Sequence, residues 1–185
     1  MVVTKSGNVK GYDPDDWTWW HETVPVRLRR TLEEGFELVV ITNQGRLTTT
    51  DGAQAPEAQA FQAKIHAIFE TLNLPVAIYA ACANDNWRKP RIRAWEHFTD
   101  SLGLNRQVDK AASYIVGDAA GRPSDHSDDD RHFAMNLEIG FYTPENTSSK
   151  NPLSFGNTSL IPFNTLMLLV PSTACTQIYD RTTKY

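Results

Sequence analysis

The sequence is poor in the features that announce a special environment. Its 185 residues include only two cysteines, Cys82 and Cys175. Two isolated thiols make neither a disulfide framework nor a zinc site, so a reducing compartment is expected. No apolar run nears the roughly 20 residues that cross a bilayer, and Thr165-Leu-Met-Leu-Leu-Val170 is far too short for that. Residues 1–20 are polar and tryptophan-rich where a secretory signal is basic and then apolar, which excludes one in that stretch. Positive charge is not in excess either. A net charge of −4 argues against a broad electrostatic grip on a duplex, while leaving room for a narrow site that holds one nucleic-acid end. What is there is ordinary: 41% hydrophobic and 22% charged residues, no internal repeat and no low-complexity segment. That composition and length suit one globular domain with a real core.

Periodicity then divides the chain. Residues 1–20 read as loop, with turn signals at Lys5-Ser-Gly7 and Asp13-Pro-Asp-Asp16. Glu22 to Gly35 reads as a helix with Val24, Leu28 and Leu32 on one face and Gly35 as its stop. Phe36 to Ile41 is a continuous apolar run with three successive β-branched residues, the profile of a buried parallel strand. Pro56 opens a second helix with Phe61, Ile65, Ile68 and Leu72 in one stripe. Pro75 to Ala81 is a strand, and Pro90 is expected to open a helix carrying Ile92, Trp95 and Phe98 that ends at Gly103. Ser113 to Val116 is a third short strand. Strand–helix alternation of this kind predicts an α/β domain, a parallel sheet flanked by helices. From Asn146 the pattern stops, Thr147-Ser-Ser-Lys-Asn-Pro152 resembling a linker, so residues 1–145 are read as the domain and 146–185 as a divergent tail.

Three polar clusters stand where such a sheet holds its ligands. Thr42-Asn43-Gln44 ends the first strand, and a hydroxyl beside free backbone N–H groups suits a phosphate oxygen, though the same residues also serve as a plain hydrophilic turn. Arg88 and Lys89 precede Pro90, expected at a helix mouth, where they could neutralise a phosphoryl group; the competing reading is a solvated basic turn. Asp118 follows Ile115-Val-Gly117, a position that suits a hard cation such as Mg²⁺ or, alternatively, an N-cap. Gly117 to Arg122 lacks the Gly-Lys-Ser/Thr ending of a P-loop. His126-Ser-Asp-Asp-Asp-Arg-His132 reads as a solvated charged loop before it reads as a metal site. Trp17, Trp19 and Trp20 could stack on unpaired bases but more often pack into a core.

Taken together, Thr42-Asn-Gln44, Arg88-Lys-Pro90 and Val116-Gly-Asp-Ala-Ala-Gly-Arg122 resemble the 3′-phosphatase domain of the polynucleotide kinase 3′-phosphatase family, a branch of the haloacid dehalogenase-like phosphatases. Trp95-Glu96, Asp130-Arg-His-Phe-Ala-Met-Asn136, Phe141 and Thr143-Pro-Glu145 extend the likeness, and Ser6-Gly7, Asp16-Trp17 and Gly35-Phe36 support it at the front. The resemblance implies a Rossmann-like haloacid dehalogenase-type sheet and a Mg²⁺-dependent phosphatase acting on DNA 3′-phosphate ends in strand-break repair, in the nucleus. It implies that Thr42, Asn43, Arg88 and Lys89 bind phosphate, with Thr42 and Lys89 catalytic. Asp118 would hold Mg²⁺ and Asp130 would assist near it.

The sequence departs from that pattern. The family's Asp-x-Asp-Gly-Thr segment, which supplies nucleophile and acid, would lie just ahead of Met1-Val-Val-Thr-Lys-Ser-Gly7; residues 92–94 read Ile-Arg-Ala; and the aromatic-rich helix expected after Glu145 is replaced. The sheet is therefore expected to lack its central nucleophile strand, and turnover by this chain to be at least about a thousandfold below an intact domain. A non-catalytic DNA-end binder or scaffold remnant, or a small-molecule phosphatase of the same superfamily, are the alternatives. An empty central slot would expose unpaired backbone groups and leave the chain prone to aggregate. Only Thr165 to Val170 is apolar and long enough to fill it.

Overall fold

The computed structural model describes residues 1–8, 13–102, 108–145 and 165–171. Gly103, expected to stop a helix, and the linker-like 147–152 lie outside them. The chain opens on a two-stranded antiparallel ribbon, β1 (Val2–Val3) with β2 (Thr18–Trp19), inside the stretch expected to be loop. Helix α1 (Val24–Glu33) follows, and Gly35 turns the chain out of it at φ +88°. That left-handed conformation costs a glycine little, hence its use as a helix stop. The remaining elements are β3 (Phe36–Asn43), α2 (Glu57–Leu72), β4 (Val76–Ala81), α3 (Arg93–Ser101), β5 (Tyr114–Val116), α4 (Asp129–Leu137), β6 (Gly140–Tyr142) and β7 (Thr165–Pro171).

The fold is α/β, as expected. β3 pairs with β4 and β5 with β6 in parallel. The expectation of a parallel sheet is corrected at its middle. The strand order is β4-β3-β7-β5-β6, and β7 pairs antiparallel with both central neighbours. Its register sets Thr165 opposite Thr42 and Leu168 opposite both Val39 and Ile115. The sheet thus takes its middle strand from the segment that the sequence pattern set apart as a tail. An antiparallel strand satisfies the N–H and C=O groups of two exposed edges as fully as a parallel one. Its sequence, Thr-Leu-Met-Leu-Leu-Val-Pro, is near-continuously apolar.

Side-chain alternation along β3 builds two cores. Leu38 and Val40 pack with Tyr114, Val116, Val24, Leu28 and Leu72, so α1 and α2 cover one face. Trp20 joins that cluster, as a core reading of the tryptophans expects. Val39 and Ile41 pack with Ile115, Trp95, Phe98, Phe133 and Leu137, so α3 and α4 cover the other. Two further expectations fail locally. Pro90 does not open α3, which starts at Arg93 behind an Ile92 N-cap. The charged run 126–132 is not all loop, since Asp129 to His132 form the first turn of α4.

Candidate active site

The carboxyl ends of β3, β4 and β5 and the amino end of β7 share one edge of the sheet. Thr42 and Asn43 are the last two residues of β3 itself, with Thr42 1% and Asn43 5% exposed. Gln44 turns back, its Nε2 donating to Thr42 Oγ1 at 2.8 Å and its N–H to Ala81 O at 2.8 Å.

Lys89 is the centre of the site. It lies in the connection after β4, where it was expected to stand at a helix mouth; it is instead fully buried. Its ammonium meets Asp130 Oδ1 at 2.8 Å and donates to Ile41 O at 2.9 Å. Taking a charge out of water costs several kcal/mol unless close partners replace the hydration, which these two do. The backbone of Lys89 is clasped by Asn43, whose Oδ1 accepts from Lys89 N at 3.0 Å and whose Nδ2 donates to Lys89 O at 3.2 Å. Both ends of the Asn43 amide are therefore spent on holding the turn, with a longer contact to Asp129 Oδ2 at 3.4 Å. Arg88, next to it, is half-buried beside the Gln44–Gly45 turn, its Nη1 3.3 Å from where a Cβ on Gly45 would stand.

Asp130, the last residue of the first turn of α4 to face inward, is fully buried. Its second oxygen, Oδ2, accepts from Ala119 N at 3.1 Å. The approach is so close that a Cβ on Gly117 would lie 2.5 Å from Asp130 Oδ2. Only glycine fits there, which explains the Gly before Asp118 in steric terms.

Asp118 stands apart from this network. It is 3% exposed, and neither carboxylate oxygen takes part in a hydrogen bond. His126 Nδ1 lies 4.0 Å from Asp118 Oδ2. Burial first, and then the neighbouring Asp130 carboxylate, push the Asp118 carboxyl up to about 6; His126 and Lys89 pull the other way. A buried carboxylate with vacant lone pairs and a raised pKa is what a hard cation would relieve. Arg122 fixes the loop beneath it, reaching Asp118 O at 3.3 Å, Asp125 Oδ1 at 2.9 Å and Glu145 Oε2 at 2.9 Å. Among the described residues no group of three or more His, Cys, Asp or Glu is placed to hold a metal ion alone.

Thr42, at the end of β3, and Lys89 and Asp118, in the connections after β4 and β5, thus lie at one edge of the sheet. Sequence reasoning missed Asp129 and misjudged the setting of Asp130. The signal was available: Asp130, Phe133, Ala134 and Leu137 recur at helical spacing, and all four are buried.

The family model described as polynucleotide kinase 3 phosphatase matches residues 1–147. The chain belongs to that family. It is similar to a bifunctional polynucleotide phosphatase/kinase of Schizosaccharomyces pombe, 42% identical over 145 residues that cover 78% of this chain and 34% of the relative. It also resembles polynucleotide 3′-phosphatase ZDP of Arabidopsis thaliana, 27% identical over 75% of this chain and 21% of the relative. An uncharacterized 20.8 kDa protein of Autographa californica nuclear polyhedrosis virus is 36% identical, with 78% of each chain covered. The matched range includes every site residue described above, while the chain spans only about a third of the fission-yeast relative's length.

Proposed function

We propose that this edge is the phosphate-handling half of a Mg²⁺-dependent polynucleotide 3′-phosphatase of haloacid dehalogenase type, acting on DNA 3′-phosphate ends during strand-break repair. A nuclear location goes with that reading; among the described residues no helix is long and apolar enough to cross a membrane. The observation that carries the proposal is that one edge of the sheet holds both a buried, compensated Lys89 and a buried Asp118 whose oxygens are free of hydrogen bonds. Lys89, held rigid by Asp130, Ile41 O and Asn43, presents a fixed positive charge to the phosphoryl oxygens and to an attacking carboxylate. Thr42 offers its hydroxyl beside it, and Arg88 adds a second cation at the lip. Asp118 would hold Mg²⁺, with water and the phosphate completing the shell, and Asp130 acts from behind by orienting Lys89. Bound there, the cation would neutralise charge on the phosphoryl oxygens.

In the reaction that the family resemblance implies, an aspartate attacks phosphorus and the bond to the sugar 3′-oxygen breaks. That oxygen takes a proton from a second aspartate, and water then releases phosphate. The test is phosphate release from a 3′-phosphorylated oligonucleotide by the 185-residue chain and by a version extended upstream. The expected result is Mg²⁺-dependent release by the extended form that Thr42→Val and Lys89→Ala abolish. Faster hydrolysis of a sugar phosphate than of the DNA end would overturn the substrate class. Tight end binding with no turnover in either form would overturn catalysis.

A further inference from the structure

The turn that delivers Lys89 inward also carries charge outward. Four of the six residues from Arg88 to Arg93 are cationic and none is acidic, in a chain whose net charge is −4. Lys89 is consumed by the pocket and Arg88 stands at its lip, which leaves Arg91 and Arg93 exposed beyond it. The turn itself is cross-braced. Asp85 O accepts from Arg88 N at 3.2 Å and from Arg91 Nη1 at 3.0 Å, and Asp85 Oδ1 accepts from Trp87 N at 2.9 Å. Asn136 Nδ2 donates to Pro90 O at 3.0 Å from α4. Trp87 is half-buried, its ring edge-to-face with His97 at 5.2 Å, and His97 is exposed one helical turn beyond Arg93. Among the described residues, Asp85 is occupied by the turn, and Glu96 meets Arg93 at 3.3 Å with both side chains about half exposed. An exposed pair of that kind is worth less than about 1 kcal/mol and gives way easily to a phosphate.

We infer that the surface from Trp87 to Arg93 docks the polynucleotide strand leading into the pocket, with Arg91 and Arg93 on internucleotide phosphates and Trp87 against an unpaired base. The inference rests on the phosphatase reading of the pocket and adds the substrate's shape to it. A single nucleotide fills only the Lys89 pocket, whereas a strand continues over the turn. Cations that follow a backbone and an aromatic face that takes any base are the two parts of a sequence-tolerant single-strand site. The rigidity of the turn means that little ordering cost is paid on binding.

The test titrates the full chain with a fluorescein-labelled, 3′-phosphorylated single-stranded oligonucleotide at several salt concentrations, alongside the same oligonucleotide ending in a 3′-hydroxyl and thymidine 3′-monophosphate. The double variant Arg91→Ala/Arg93→Ala is expected to bind the oligonucleotide at least about tenfold more weakly, with a salt slope reduced by about 1.4 for two lost single-strand phosphate contacts. Its affinity for thymidine 3′-monophosphate should not change. Trp87→Leu, which keeps an apolar side chain against the core, is expected to lose several-fold in affinity with the salt slope intact, because stacking releases no counterions. Unchanged oligonucleotide affinity and slope in the double variant would overturn the docking surface while the pocket stands. A wild-type chain indifferent to the 3′-phosphate would overturn the pocket reading, and the docking surface with it.

Discussion

Two lysines of this chain, Lys64 and Lys89, are both fully buried, and their surroundings differ in an instructive way. Lys64 sits mid-helix in α2, and its ammonium donates to Asp16 O at 2.8 Å. Burial pulls its pKa down, with the Asp16 and Asp13 carboxylates acting in the opposite sense. Asp16 in turn accepts from Ser6 N at 2.8 Å, so Lys64 ties the segment between β1 and β2 to the body of the protein. Lys89 has a carboxylate in direct contact, a strand carbonyl, and a backbone pinned from a second strand. Burial of a cation alone therefore does not mark a site. What distinguishes Lys89 is its place at the carboxyl edge of the sheet and its neighbour Asp118, whose charge no hydrogen bond satisfies.

The comparison breaks most visibly on substitution. Lys89→Met should destabilise the fold by about 3–5 kcal/mol, because it strands the Asp130 carboxylate in the interior. Chemical denaturation would measure this, and a loss below about 1 kcal/mol would mean that the pair is not buried as described.

Asp118→Asn should act with the opposite sign. The folded pKa of about 6 lies above the ordinary 3.8, so ionising Asp118 costs the folded state. Stability from this group is full below about pH 4 and is lost as pH rises through about 6. The difference of about 2 pH units, at 1.36 kcal/mol each, gives the variant roughly 3 kcal/mol over wild type at pH 7.5, in the absence of a divalent ion. The gap should close near pH 4, and millimolar Mg²⁺ should raise the melting temperature of the wild type alone. Thermal scans at pH 4.5 and 7.5 would decide it; a variant less stable than wild type at pH 7.5 would contradict the account of Asp118.

Gly117→Ala should cost about 1–3 kcal/mol, since its new methyl group must push the Asp130 carboxylate away. It should also weaken phosphate binding, by moving Lys89 through Asp130. Lys64→Met, at the small end, should cost about 1 kcal/mol, because the lost hydrogen bond is partly offset by relief of desolvation. It should leave phosphate affinity unchanged. Equal effects of the Lys64 and Lys89 substitutions on phosphate binding would erase the distinction between them.

Much of the scaffold was legible because its signals are local. The apolar β-branched run before Thr42 and the short one before Asp118 placed both at strand ends, and Pro56 and Gly35 punctuated the helices where expected. The setting of Lys89 was not legible. Its ion pair with Asp130 spans 41 positions, and a Lys-Pro step resembles a helix entrance whether or not a helix follows. Three successive aspartates read as a solvated loop, which hid the buried face of α4. The middle strand was the least accessible feature. Its apolar run was visible, but no local pattern says that a strand after a long polar stretch will pair antiparallel with two strands that precede it. Such pairing is settled by the edges that β3 and β5 would otherwise leave open.

The central claim is that Thr42, Lys89 and Asp118 form a pocket for a terminal 3′-phosphate. It is tested most directly by the affinities of the 185-residue chain for one oligonucleotide bearing either a 3′-phosphate or a 3′-hydroxyl, with and without Mg²⁺. The account predicts at least about tenfold tighter binding of the phosphorylated end, equivalent to 1.4 kcal/mol, increased by Mg²⁺ and lost in Thr42→Val. Equal affinity for the two ends under both conditions would contradict it.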